Sequence, residues 1–546
     1  MFGHLRDPAH WSLINALDWQ ARSNGDKTFV QMVDGEAVSF ARMQDRSLRV
    51  AGHLARLGVS RGDHVILFVR DGIDFLTAWF GLGRLGAVAV LLNTELKGAF
   101  LRHQIRDSGA RLIIIDAGLL PVLTDIAADL DGLECVVTTG APDTQPLPFP
   151  RTAAFADWQD APLHDGPAPA AQDICSIMYT SGTTGPSKGV LMPHAHCFLY
   201  GLGTVDNLEL QPVDRYYVTL PLYHANGLLM QIGGALIAGA TVILRNGFSA
   251  RAWLADIRQH GATVTNTLGV TAPFIFAQPP GPQDRDHKLR AIMAAPNPAA
   301  LLGIWRERFG VKEVLSGFGM TECNIPIWGR PGLSLPPDCA GPVYERYFEV
   351  EIVDPDTDQI LPRGTAGEIV VRPRAPFGFM AGYHGLPEKT VEAWRNLWFH
   401  TGDAGRMDEN GIVTFIDRMR DCIRRRGHNI SSFEIEQAFA GCAGVAEVAA
   451  IAMPSTITGG EDEVMICVLP DEGATLSPRQ LAQHGEATLP RFALPRYIEI
   501  VQSLPKTPTG KVQKVALRKR GLPPGVWDSE AGKAATAQFS SRQQTL

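Results

Sequence analysis

DHVILFV (63–69), DFLTAWFGLGRLG (74–86), AVAVLL (87–92), LKGAFLRHQIRDSG (96–109) and RLIIID (111–116) follow one another with at most four residues between them. The first, third and fifth are short apolar runs rich in β-branched residues. The second and fourth carry apolar residues at helical spacing. Strands alternating with helices predict a parallel sheet covered on both faces, and hence an α/β fold. The theme returns in SARAWLADIRQHG (249–261) with ATVTNTL (262–268), and again in LLGIWRERFG (301–310) with VKEVLSGFG (311–319). From about residue 340 the texture changes to YFEVEIVD, GEIVVR and GIVTFIDR, short alternating runs that predict a β-rich subdomain. After RMRDCIRRRGHN (418–429) comes SSFEIEQAFAGC, a Ser-capped helix signal. VAEVAAIAMP, EDEVMICVLP, SPRQLAQHGEATLP and RYIEIVQSLP then read strand, strand, helix, strand, a small α/β domain of its own. The expected organisation is a large N-terminal domain over 1–419, a small C-terminal domain over 420–524 and a polar tail over 525–546.

The 546 residues suit several domains, and 45% hydrophobic with 20% charged residues is ordinary for a globular protein. A net charge of −7 argues against a nucleic-acid partner. Basic residues concentrate locally in RDCIRRR (420–426) and KVQKVALRKR (511–520), and such runs read as solvated faces when taken alone. The eight cysteines include no C-x-x-C pair and no Cys/His spacing suited to zinc, which fits a reducing compartment. No apolar run reaches the length of a membrane span, and MFGHLRDPAHWSLINALDWQ lacks the layout of a signal peptide. A cytoplasmic location is therefore expected.

YTSGTTGPSKGV (179–190) packs three glycines, three threonines, two serines and a lysine behind the apolar ICSIM. Glycine-rich turns that follow a strand wrap backbone N–H groups around phosphate oxygens, with hydroxyls and a lysine as further donors. A Walker loop does not fit: after Gly182 and four residues come Ser187, Lys188 and Gly189, so the second glycine and the metal-holding hydroxyl are missing. Composition alone also fits a linker. The flanking ICSIMYT and GVLMPH instead suggest a strand, a loop and a strand.

Four further stretches share the chain with this one in a fixed order: PLYHANG (221–227), SGFGMTE (316–322), WFHTGD (398–403) running on to DRMRDCIRRRGHNISSFEIE (417–436), and PKTPTGKVQK (505–514). Together they resemble the adenylate-forming superfamily of acyl-CoA synthetases, amino-acid-activating domains and beetle luciferases, over about residues 30 to 520. The resemblance implies a two-step reaction. A carboxylate attacks the α-phosphate of ATP to give an acyl-adenylate and pyrophosphate, and a thiol then displaces AMP. Such chemistry needs positioning and charge neutralisation more than covalent help.

Residue by residue, the resemblance implies that Thr180, Ser181, Gly182, Thr183, Thr184, Gly185 and Lys188 wrap the β- and γ-phosphates. In SGFGMTE, Phe318 would stack on adenine alongside Gly319 and Met320. Thr321 would touch the α-phosphate, and Glu322 would hold magnesium. Phe318 stands where the family more often has tyrosine, and stacking needs only the ring. Asp403 resembles the carboxylate that takes the ribose hydroxyls, and Arg418 its basic companion. His224 resembles the histidine lining the carboxylate and thiol approach. In PKTPTGK two prolines and a glycine set a turn that presents the Lys511 ammonium, and the family's equivalent bridges the carboxylate and α-phosphate. That family moves its small domain about a hinge, which falls at Arg420, an arginine where lysine or aspartate is usual. Gly427 would let pantetheine pass close to backbone. Arg424, Arg425 or Arg426 would meet coenzyme A phosphates or form a solvated face.

The expected activity is that of an acid–CoA ligase using ATP, magnesium and coenzyme A on a small carboxylic acid, and the resemblance allows a homodimer. The alternative is an adenylating enzyme loading a carrier protein in trans, since the residues after Gly521 are too few for a fused carrier domain. A nucleotide-binding protein without ligase activity would need a lost catalytic group, whereas Lys511, Glu322 and Thr321 are all present. Within the ligases, DRMRDCIRRRGHNISSFEIE and YHGLPEKTVEAW (383–394) resemble the crotonobetaine/carnitine-CoA ligase branch. Residues 224–227, 268–274, 294–296 and 316–317 would shape the acid pocket. A quaternary ammonium acid would call for rings facing its cation, for which Trp328, Tyr223 and Phe274 are the candidates.

Overall fold

The computed structural model describes all residues except 1–5, 141–145, 181–185, 269–270, 296–298, 337–338, 356, 419–421, 426–427, 456–460, 507–511, 513 and 532–546. The chain divides into two compact units. One comprises Met1–Thr94, Gln104–Tyr179 and Gly189–Met419; the other comprises Glu95–His103, Thr180–Lys188 and Arg420–Leu546.

Among the described residues, an eight-stranded sheet in the first unit runs Gly382–Tyr383, Lys188–Pro193, Ile174–Thr180, Val88–Leu91, His64–Phe68, Leu112–Asp116, Cys135–Thr139 and Arg151–Ala154 across its width. Its central pairs are parallel. The runs AVAVLL and RLIIID became central strands because β-branched and apolar side chains fill both faces of a covered sheet, and all four residues of Val88–Leu91 are buried. The helix Ile73–Leu85 is buried along nearly its whole length. Gly86, at φ +72°, ends it in the left-handed conformation that glycine adopts without strain.

A second sheet of seven described strands has the order Glu313–Leu315, Ala291–Ala295, Val264–Leu268, Arg215–Val218, Thr241–Leu244, Thr28–Met32 and Ala37–Ser39. It is parallel except for its closing hairpin. The β-rich texture after residue 340 folds as an antiparallel sheet ordered Cys339–Pro342, Ile412–Arg418, Trp398–Met407, Gly367–Pro373, Phe348–Val353.

In the second unit, Val445–Met453 and Glu463–Pro470 pair antiparallel, and Glu463–Pro470 pairs parallel with Tyr497–Ile500. The helix Pro478–Thr488 begins at Ser477, whose hydroxyl accepts from the Gln480 N–H, a capping box that also puts proline in the first turn. Strand, strand, helix, strand is the order expected from the sequence. The fold is thus mixed α/β, with parallel sheets, a β-rich subdomain and a distinct C-terminal part. No helix among the described residues is long and apolar enough to cross a membrane.

Candidate nucleotide and acid site

SGFGMTE folds as the first arm and tip of a hairpin, Gly317–Met320 paired with Asn324–Trp328. Both glycines are required by close approach. A Cβ on Gly319 would stand 2.2 Å from the Asn324 carbonyl oxygen, and one on Gly317 would stand 2.6 Å from the Met293 side chain. Asn324, at φ +67°, carries the left-handed residue of the return, which asparagine tolerates better than most residues.

Three consecutive residues of this tip are held from outside the motif. The Tyr200 hydroxyl donates to the Met320 carbonyl at 2.6 Å. His196 places Nε2 2.9 Å from the Thr321 carbonyl oxygen and Nδ1 2.9 Å from that of Gly378. Full burial pushes the His196 imidazole down to about 4, so the ring is neutral at pH 7. Met380 N–H donates to the Glu322 carbonyl at 3.1 Å. The Glu322 side chain, 5% exposed, accepts from the Tyr383 hydroxyl at 3.0 Å. Burial and the adjoining Glu322 charge push the Tyr383 phenol up.

Phe318 stacks on Phe415, with ring centroids 6.0 Å apart and planes at 26°. Phe415 lies on the strand Ile412–Arg418, whose neighbour Trp398–Met407 carries Asp403. Asp403 and Arg418 are direct cross-strand partners. The backbone at HTGD is bent for a reason: Gly402 sits at φ +70°, its N–H donates to Glu368 at 2.9 Å, and the Thr401 hydroxyl donates to the Ile369 carbonyl at 2.6 Å. The Asp403 N–H then donates to Thr401 Oγ1 at 3.1 Å, which fixes a buried carboxylate on an inward-facing strand position.

His224 ends the turn after PLY and leads into a π-helix, Asn226–Ile232, an element that often marks functional sites and that the sequence did not announce. A Cβ on Gly227 would lie 2.5 Å from the carbonyl oxygens of Leu220 and Pro221, which explains the glycine. A buried polar chain fixes Asn226: Tyr216 donates to Asn266 Oδ1, and Asn266 Nδ2 donates to Asn226 Oδ1, each at 2.6 Å. Desolvation pushes His224 down to about 4, leaving a neutral imidazole at pH 7.

Of the aromatic candidates, Trp328 is corrected. It is 1% exposed, and its indole N–H is spent on the Ile325 carbonyl at 2.7 Å, so it is core. The Tyr223 ring lies against that of His224, with centroids 4.6 Å apart and planes tilted by 55°, while Phe274 is 48% exposed.

Thr180 closes the strand Ile174–Thr180 and Lys188 opens the strand Lys188–Pro193, so both stand at the ends of the glycine-rich loop. Tyr179, immediately before it, donates to Asp107 at 2.7 Å. In the second unit the Ser187 N–H donates to Glu434, whose burial pushes its carboxyl up to about 7. Ser181, Gly182, Thr183, Thr184, Gly185, Arg420, Arg426, Gly427 and Lys511 lie outside the described residues, as do the side chains of Arg418 and Arg424.

The residues on either side of Lys511 in the sequence are tied down. Lys506 and Val512 form an antiparallel bridge, Lys506 pairs with Glu447 at 2.6 Å, and Lys514 pairs with Glu436 at 2.6 Å. The two neighbouring ammoniums are thus committed to ion pairs. Arg425 is also corrected: it is not part of a solvated face but is 5% exposed, paired with Glu463 at 2.7 Å and donating to the Leu494 carbonyl. A run of arginines gave no sign that one of them turns inward to a glutamate far along the chain.

Residues 17–384 match the family described as AMP-binding enzyme, and residues 434–511 match its C-terminal domain. A crotonobetaine/carnitine–CoA ligase of Salmonella paratyphi A is 30% identical over 519 residues, covering 93% of this chain and 99% of the relative. One from Citrobacter koseri is 30% identical with the same coverage. Among solved structures, the anthranilate CoA ligase AuaEII in complex with anthranoyl-AMP aligns with TM-score 0.69 at 28% identity, over 94% of this chain and 98% of that one. ATP-bound MatB from Rhodopseudomonas palustris aligns with TM-score 0.66 at 28% identity, over 94% and 99%. Motif order, fold and these similarities agree, and the chain belongs to the AMP-binding enzyme family.

Proposed function

We propose that this chain is an ATP-dependent carboxylic acid–CoA ligase that forms AMP. The acid's carboxylate oxygen bonds to the α-phosphorus of ATP as the bond to pyrophosphate breaks. The coenzyme A sulfur then bonds to the acyl carbon as the bond to AMP breaks. The observation that carries the reading is the hairpin tip at 318–322, where an aromatic ring, a hydroxyl and a buried carboxylate are presented in sequence on a backbone held at Met320, Thr321 and Glu322. Relatives named CoA ligases and a neighbour holding an acyl-adenylate support it.

In this reading Phe318, Gly319 and Met320 form the adenine platform, and Asp403 with Arg418 takes the ribose. Thr321 meets the α-phosphate. Thr180, Ser181, Gly182, Thr183, Thr184, Gly185 and Lys188 wrap the outer phosphates. Lys511 supplies the ammonium for the charge that develops in adenylation. His224 is neutral at pH 7, so it serves the acid and thiol by hydrogen bonding rather than as a fixed charge. Gly427 borders the pantetheine, and the small domain is the segment 420–524.

No cluster of three or more metal-ligating side chains stands among the described residues. The single buried carboxylate of Glu322 fits magnesium, which keeps its waters and takes phosphate oxygens rather than an all-protein cage. Bound there, it would neutralise phosphate charge. The carnitine-type relatives and the Tyr223 ring beside His224 favour including cationic acids among those tried.

An acid panel with ATP and magnesium, read as pyrophosphate, AMP and thioester with and without coenzyme A, tests the proposal. Turnover that depends on coenzyme A is expected with one acid class. Pyrophosphate release without thioester would replace coenzyme A by a separate carrier as acceptor, and no release with any acid would refute the reading.

A further inference from the structure

Residues 379–384 touch two nucleotide motifs at once. Their backbone is registered on the strand that leaves the glycine-rich loop: Gly382 pairs with Leu191, Tyr383 pairs with Val190, and the His384 N–H donates to the Gly189 carbonyl at 2.7 Å. The same short segment reaches the hairpin tip through Met380 N–H to the Glu322 carbonyl and the Tyr383 hydroxyl to Glu322 Oε1. The backbone of Tyr383 is itself held. Its N–H donates to Thr390 Oγ1 at 2.9 Å, and Gly382, at φ +142°, lets the chain bend against the Thr390 side chain.

Covalent structure does not fix the last torsion of a glutamate, which is broad and roughly two-fold. A carboxylate that ligates a cation therefore depends on an outer partner to set its plane, and such partners are worth about 10- to 100-fold in metal affinity. We infer that Tyr383 is a positioning residue for Glu322, fixing the plane in which the carboxylate meets a divalent cation bound to ATP phosphates. This rests on the reading of Glu322 given above. Tyr383 takes no part in bond making; its hydroxyl donates, Glu322 accepts, and the strand carrying Tyr383 ties that orientation to the strand after the phosphate loop.

The test uses the full-length protein with α,β-methylene-ATP and measures Mn²⁺ binding by electron paramagnetic resonance, together with melting temperature. Tyr383→Phe, which deletes only the hydroxyl, should weaken Mn²⁺ on the order of 10-fold while leaving binding of the metal-free nucleotide and the melting temperature close to wild type. In a Glu322→Gln background the same substitution should add little, because the two act through one contact. Thr390→Val, which loosens the Tyr383 backbone without touching its ring, should weaken Mn²⁺ by a smaller factor and serves if Tyr383→Phe folds poorly. Wild-type Mn²⁺ affinity in Tyr383→Phe and Thr390→Val, with Glu322→Gln weakened, would overturn the role of Tyr383 and leave the functional reading standing. Wild-type affinity in Glu322→Gln would overturn the metal reading of Glu322 and this inference with it.

Discussion

Glu322 and the described residues that flank Lys511 are held in opposite ways. Glu322 is buried, and both its backbone carbonyl and its carboxylate receive hydrogen bonds from residues 380 and 383. Around Lys511 the described neighbours are the ones that are tied: Lys506 to Glu447, Lys514 to Glu436, and Lys506 to Val512 through an antiparallel bridge. A charge that must keep one position is fixed by its own partners. The ammoniums on either side of Lys511 in the sequence, those of Lys506 and Lys514, are instead each held by a glutamate.

The largest effect expected from this contrast is on Lys511→Ala. Pyrophosphate release should fall about 10²- to 10³-fold, the usual cost of losing one preorganised charge stabiliser. Thioester formation from supplied acyl-adenylate should change only a few-fold. Equal loss in the two assays would mean that the turn serves the fold and not the first half-reaction.

The pinned side of the comparison is sharpened by pH. His196 has its folded value pushed down to about 4 from 6.5, so the folded state prefers the neutral ring. Its contribution is complete above pH 6.5 and is lost as pH falls towards 4, by up to about 3 kcal/mol. His196→Gln should therefore flatten the acid limb of stability measured by denaturant titration. A limb identical to wild type would show that His196 is not buried neutral.

The third expectation is smaller. Gly319→Ala puts a methyl group against the Asn324 carbonyl and the Ile325 Cα, and forcing that contact should cost about 1–3 kcal/mol and weaken ATP binding. A variant with unchanged midpoint and unchanged ATP affinity would mean that the hairpin yields easily, and the contrast with the lysine turn would lose its basis.

Much of this was legible because residue type and function coincide locally. The sheet strands announce themselves through uninterrupted runs such as LIIID, whereas VKEVLSGFG read as a single strand and gave no sign that Gly317–Met320 leaves the sheet to pair in a hairpin with Asn324–Trp328. Tyr383, Tyr200 and His196 were not legible as supports of the tip. A lone tyrosine or histidine in an apolar stretch reads the same whether its polar end meets a motif carbonyl or any other, and the partners lie between 61 and 125 residues away. Arg425 misled for the same reason, since Glu463 is too distant to mark it. Trp328 misled because an aromatic near a pocket motif looks available until its N–H is seen to be spent on Ile325.

The wide turn of Asn226–Ile232 has an evolutionary side. A π-helix holds one more residue than the α-helical turn it replaces, so losing a single residue there would restore ordinary winding at little backbone cost. The residues beyond the loss would rotate about 100° relative to His224. If the proposed acid–CoA ligase reading holds, the length of this one buried turn would change what stands beside His224 before any side chain there changes.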